Sequence, residues 1–123
     1  MLERNLRLAG LAARVEIAHG DLTAQPFPDA TFDAAVSAHA IDHLGALVPA
    51  ALSEMRRVLK PGGRFVLVVW VPGWTMFAIA NVLSLSLASR RVWRRMATDA
   101  GFAIADEGRF NGTWFAVLRK PEA

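Results

Sequence analysis

Apolar residues follow two different spacings along this chain. From Phe32 to Ser37, and again from Phe65 to Trp70, they run in Val, Ala and Leu with almost no interruption. Between these runs Leu47, Val48, Ala51, Leu52, Met55, Val58 and Leu59 recur at helical intervals, with Glu54, Arg56 and Arg57 on the other side. A helical stripe between two short β-branched runs predicts a strand, a crossover helix and a second, parallel strand. Such a unit forms ligand sites at the carboxyl ends of its strands, here Ser37 to His39 and Val71 to Trp74. Pro49 fits the first helical turn. Pro61 ends the helix, and Gly62-Gly63 turns the chain into the strand Arg64 to Trp70.

The flanking segments follow the same logic. Leu2, Leu6 and Ala9 form one stripe of an amphipathic helix closed by Gly10. Val15 to Ala18 alternates as a short strand and stops at His19-Gly20-Asp21, and Gln25 to Ala30 is a loop carrying two prolines. Phe32 to Ser37 has the composition of an interior strand, with a helical turn following at Ala38 to Leu44. Ser89 caps a helix whose Val92, Trp93, Met96, Ala97 and Ala100 face inward and which stops at Gly101. Asn111-Gly112, in the stretch Arg109 to Gly112 between Phe102–Glu107 and Thr113–Leu118, marks a hairpin, because both turn residues accept positive φ.

Composition narrows the classes. The chain has 123 residues, 54% of them hydrophobic, which suits one small domain with one core. With no cysteine, disulfides, thiolate metal sites and thiol nucleophiles are excluded. The net charge of +3 is small and its arginines are scattered, so no nucleic-acid partner is expected. The mixed-charge start, Met1 to Asn5, lacks the apolar core of a signal peptide, and a cytoplasmic location is expected. Phe65 to Ala88 has no charge and reaches the roughly 20 residues of a membrane span. Pro72-Gly73 breaks it and Asn81, Ser84 and Ser86 dilute it, so a buried or substrate-covering helix at Trp74 to Leu87 is expected, with membrane association the minority reading.

Four strings, Val15-Glu16-Ile17-Ala18-His19-Gly20-Asp21, Gln25-Pro26-Phe27-Pro28-Asp29-Ala30-Thr31-Phe32-Asp33, Ile41-Asp42-His43-Leu44 and Glu54 to Arg64, stand in order. Together they resemble class I S-adenosylmethionine-dependent methyltransferases, in particular the small-molecule branch of ubiquinone and menaquinone biosynthesis. The resemblance implies an α/β fold: a partial, doubly wound Rossmann-like sheet of parallel strands with a carboxyl-terminal antiparallel hairpin. It also implies that residues 1–123 are one partial domain. No G-x-G-x-x-G occurs, so the family's first two strands and the Gly-rich cofactor loop are expected to lie outside this chain. Strands at Val15 and Phe32 would then have open edges, which invite pairing with another chain, including a second copy.

By resemblance the cofactor is S-adenosylmethionine. Asp21 would accept from its adenine amino group, Leu22 would pack on the ring, and Ser37 and Ala38 would line the methionine portion. On the residues alone, turn punctuation is the alternative for Asp21, and Ser37 reads first as a turn or cap residue. His39 and His43, four apart, would share a face if helical, and either imidazole could take a proton from a methylated hydroxyl or acidic carbon. With Asp42 they lack a zinc pattern, so no metal is expected. The family places substrate contacts at Trp70, Trp74, Met76 and Phe77, which suits a small hydrophobic acceptor; ordinary core packing is the alternative. Two function classes therefore stand: methyl transfer, or a non-catalytic fragment or split-enzyme partner that associates through exposed strand edges.

Overall fold

The computed structural model describes residues 2–8, 10, 15, 18–71, 89–110 and 112–122. Helix α1 spans Leu2–Leu8. Strand β1 spans Phe32–Ala38, followed by 3-10 turns at Ile41–His43 and Gly45–Leu47. Helix α2 is Val48–Val58 and strand β2 is Leu59–Trp70. Helix α3, Arg90–Asp99, leads into the hairpin strands β3, Ala103–Phe110, and β4, Thr113–Arg119. They form a four-stranded sheet in the order β1-β2-β4-β3.

β1 and β2 run parallel, with Val36 opposite Val66 and Ser37 opposite Leu67. β4 lies antiparallel on the other side of β2, and β3 pairs antiparallel with β4. The strand-crossover-strand unit and the closing hairpin are thus both present. Hairpin closure uses Gly112 at φ +70°, a backbone state that costs glycine little.

The core lies on one sheet face. Phe65, Leu67 and Val69 of β2 stand opposite Leu118, Ala116 and Trp114 of β4, and all six are fully buried. Ala51, Leu52, Met55 and Val58 from α2, with Trp93 and Ala97 from α3, complete the covering layer. Each large apolar side chain so buried contributes roughly 1.5–3 kcal/mol against exposure. The opposite face presents Val36, Val66, Val68, Trp70, Phe115 and Val117; Val36 remains 71% exposed and Phe115 43%.

Several boundaries differ from the sequence reading. α2 stops at Val58, and Leu59 is already extended and paired with Phe32. Lys60-Pro61-Gly62-Gly63 then bulges opposite Asp33 before regular pairing resumes at Arg64. The bulge is held by Gly62 N–H on Lys120 O at 2.8 Å and Lys120 N–H on Gly63 O at 2.9 Å. A side chain at Gly63 would meet Lys60 O at 2.7 Å, which explains glycine there. Leu47 falls in the 3-10 turn and is exposed, as is Val92 at the open first turn of α3. β1 has an interior strand's composition, yet among the described residues it pairs only with β2. The strand expected at Val15–Ala18 includes Glu16 and Ile17, and the helix expected at Trp74–Leu87 lies wholly within 72–88; both fall outside the described residues. Among the described residues no helix is long and apolar enough to cross a membrane.

Candidate functional site

Both parallel strands end at the same edge of the sheet, and the chain there does something that its residue types do not advertise. After Ala38 the backbone of His39 turns left-handed, φ +55°, while its N–H donates to Val68 O at 2.8 Å. This swings the imidazole onto the indole of Trp70, ring centroids 4.3 Å apart at 25°. Histidine tolerates this backbone region better than most side chains, though at some cost. His39 Nδ1 is buried with no hydrogen-bond partner.

Asp42 closes the other side of the same edge. Its Oδ2 accepts from the backbone N–H of Trp70 at 3.1 Å, tying the 3-10 turn to the end of β2. The side chain is only 8% exposed, and its Oδ1 is buried without a hydrogen-bond partner, His43 Nε2 standing 4.0 Å away. A buried polar atom without a partner costs about 1–3 kcal/mol. Two such atoms, His39 Nδ1 and Asp42 Oδ1, lie at this one edge.

The residues singled out from sequence distribute unevenly. Ser37 and Ala38 form the last turn of pleat in β1, Ser37 half-buried and Ala38 exposed. Trp70 sits at the adjoining end of β2. His43 does not share a helical face with His39, because His39 precedes the 3-10 turn in a left-handed conformation; its side chain is 72% exposed. Asp21 and Leu22 lie on an exposed turn. There Asp21 Oδ1 accepts from Thr23 N–H at 2.8 Å and Thr23 Oγ1 at 2.7 Å, bonds that hold its carboxyl below the usual range. Trp74 and Phe77 lie outside the described residues. Among the described residues no three His, Asp or Glu side chains converge on a metal-holding cluster.

Asp42 was not among the cofactor or proton-transfer candidates read from sequence. The available signal was a lone acid between Ile41 and Leu44, just past a strand end. That position says little without the fold, because a turn acid is common.

The loop before β1 is anchored by one guanidinium. Arg57 on α2 bonds Glu54 through Nε and Nη2, both at 2.7 Å, Asp29 through Nη1 at 2.7 Å, and Gln25 O at 3.1 Å. Gln25 N–H returns to Glu54 Oε1 at 2.7 Å. The Arg57 hydrogen bonds hold the Glu54 carboxyl below its ordinary range, and those to Glu54 and Asp29 raise the guanidinium. Backbone bonds from Ala30 and Thr31 to Arg57 O and Val58 O then deliver the chain into β1.

This edge, a parallel pair around a crossover helix with a hairpin beyond, matches known proteins. A family described as a methyltransferase domain matches residues 1–67, more than half of the chain. The chain belongs to that family. Among curated relatives, the methyltransferase chain is 37% identical over 92 residues to a demethylmenaquinone methyltransferase of Mycolicibacterium paratuberculosis, covering 74% of this chain and 40% of that protein. It is 45% identical over 65 residues to a 24-methylenesterol C-methyltransferase of Oryza sativa, covering 53% of this chain and 18% of that one. The chain thus spans less than two thirds of the length of the relatives it matches. Among solved structures, the cyclase SpnF aligns with a TM-score of 0.80 at 20% identity, over 98% of this chain and 61% of that one. A geranyl diphosphate C-methyltransferase of Streptomyces coelicolor, solved with Mg²⁺, geranyl diphosphate and S-adenosyl-L-homocysteine, aligns at 0.73 and 14% identity, over 98% and 58%. At these identities the solved structures establish the Rossmann-like methyltransferase fold. They do not transfer a reaction, since one fold hosts many.

Proposed function

We propose that this chain takes part in S-adenosylmethionine-dependent methyl transfer to a small hydrophobic acceptor, exercised at the full length of the domain that its relatives share. The observation that carries this reading is the pair of unsatisfied atoms at the carboxyl edge, His39 Nδ1 and Asp42 Oδ1, in a chain of the methyltransferase domain family. Asp42 Oδ1 needs a donor, and the hydroxyl and ammonium groups of S-adenosylmethionine are donors, so the chemistry of the edge fits that cofactor. When bound, the sulfonium supplies an electrophilic methyl group.

In this reading Ser37 and Ala38 border the cofactor and Trp70 supplies an apolar wall for the acceptor. His39, braced by Trp70, is better placed than His43 to take a proton from the acceptor, because a fixed, half-buried ring holds its geometry. His43 is 72% exposed, with Nε2 4.0 Å from Asp42 Oδ1. Asp21 holds its own turn through Thr23 and retains Oδ2 for the adenine amino group, with Leu22 beside it. Calorimetric titration of the full-length domain with S-adenosylhomocysteine tests this. Micromolar binding that falls at least tenfold in Asp42→Ala supports it, and binding indifferent to both Asp42→Ala and His39→Ala removes the edge as the site.

A second reading has its own support. β1 pairs on one side only among the described residues, and Val36 on it is 71% exposed. An apolar open edge is a template for another chain's strand, as a non-catalytic fragment or split-enzyme partner would use. Sedimentation equilibrium distinguishes it: a concentration-dependent dimer lost in Val36→Lys supports association, and a monomer throughout removes it.

A further inference from the structure

Beyond the edge just described, the structure contains a cavity of about 360 Å³ lined, among the described residues, by Val71, Ser89, Arg90, Arg91 and Arg109. That volume falls within the roughly 300–1,000 Å³ of small-ligand sites. Val71 follows Trp70 directly, and its N–H donates to Gly112 O at 2.8 Å, which sets the hairpin turn beside the end of β2. Arg90 and Arg91 open helix α3, and Arg109 stands on the next element, β3, so the docking of α3 beside β3 brings three arginines to the lining of one cavity.

Their juxtaposition is held in place. Arg94, one turn into α3, pairs with Glu107 on β3 at 3.4 Å, and Glu107 Oε2 also accepts from buried Trp114 Nε1 at 3.0 Å. That carboxylate is therefore committed to docking α3. Among the described residues Arg90, Arg91 and Arg109 take part in no ion pair. Three like charges around one space repel one another unless an anion joins them. A guanidinium fork matches the oxygen geometry of phosphate and carboxylate, and a multiply charged phosphate suits three of them better than a single carboxylate. Ser89 Oγ accepts from Val92 N–H at 3.3 Å, a cap that fixes the start of α3 and with it the positions of Arg90 and Arg91.

We infer that this arginine-lined cavity binds the phosphate or diphosphate group of a small, soluble ligand. That this ligand is the methyl acceptor, its apolar part reaching back over Trp70, rests on the methyl-transfer reading above. The anion site itself does not.

The test uses inorganic diphosphate titrated into the 123-residue chain at moderate salt and followed by calorimetry. Saturable binding is expected, weakened about tenfold by Arg91→Gln and by Arg109→Gln, further by both together, and little changed by Arg119→Gln. Arg119 is an exposed arginine on β4 that does not line the cavity, so it controls for net charge. All four variants are surface changes whose unfolding midpoints are compared first. Absence of saturation, or an equal loss in Arg119→Gln, overturns the inference. So does binding seen only to phosphatidylcholine vesicles doped with phosphatidic acid, which would assign the arginines to a membrane surface. Because diphosphate binding requires no cofactor, intact diphosphate binding with no S-adenosylhomocysteine heat from the full-length domain would defeat the methyl-transfer reading alone. The reverse result would defeat only the anion site.

Discussion

The imidazole of His39 lies nearly parallel to the indole of Trp70, 4.3 Å away, because the backbone at residue 39 turns left-handed. Two effects oppose each other here: stacking favours the arrangement by about 0.5–1.5 kcal/mol, while a non-glycine residue in this region costs of order 1 kcal/mol. His39→Ala loses the first and keeps the second. His39→Gly loses the first and relieves the second. Urea unfolding should therefore place the Gly variant close to wild type and the Ala variant below both, by about 0.5–1.5 kcal/mol. An Ala variant as stable as the Gly variant would show that the left-handed turn carries no strain.

Asp42 acts on β2 through one bond, its Oδ2 to the Trp70 N–H. Asp42→Asn keeps an acceptor there, whereas Asp42→Ala leaves a strand-end donor unpaired at about 1–3 kcal/mol. Thermal unfolding should show a clear loss for Ala and a small change for Asn. Cofactor-analogue binding should fall in both if Oδ1 meets a cationic or hydroxyl donor, since the charge is absent in each.

The Arg57 cluster predicts a pH response. Glu54 has a folded pKa below its ordinary value of 4.5 because Arg57 donates to its carboxylate. A depressed carboxylate contributes stability above its unfolded pKa and loses it as pH falls through the folded one. Wild type should thus lose stability on acidification below about pH 4.5 more steeply than Glu54→Gln, measured as unfolding midpoint against pH. Parallel curves would mean that the cluster contributes nothing beyond its exposed geometry.

The bulge at the start of β2 depends on glycine twice. Gly62 sits at φ +80°, and a Cβ on Gly63 would meet the Lys60 carbonyl oxygen at 2.7 Å. Gly63→Ala is expected to cost more than Gly62→Ala, because backbone must move in the first case and only a conformational preference of about 1 kcal/mol is lost in the second. Denaturant midpoints of the two variants decide the order.

How much was readable in advance varies by element. The β1-α2-β2 unit was visible in its spacings, since Val48, Ala51, Leu52, Met55 and Val58 can share a face only on a helix. Ser89 as a cap and Asn111-Gly112 as a turn were local signals, and Ser89 Oγ does accept from Val92 N–H. Leu59 was misplaced on the helix because its apolar side chain fits either face; pairing with Phe32 decides it. The four-residue spacing of His39 and His43 puts them on one face only if the segment is helical, and the left-handed backbone of His39 shows that it is not helical there.

The amino-acid order by itself determined the parallel pair, its crossover helix, the closing hairpin and the resemblance to methyltransferases, because periodicity and turn chemistry are properties of neighbours in the chain. Only the tertiary structure decided that Asp42 holds the end of β2, that His39 rests on Trp70, and that Arg109 meets Arg90 and Arg91 around one cavity. Those contacts join positions far apart in sequence, and nothing local encodes them; sheet register and the docking of α3 on β3 bring them together.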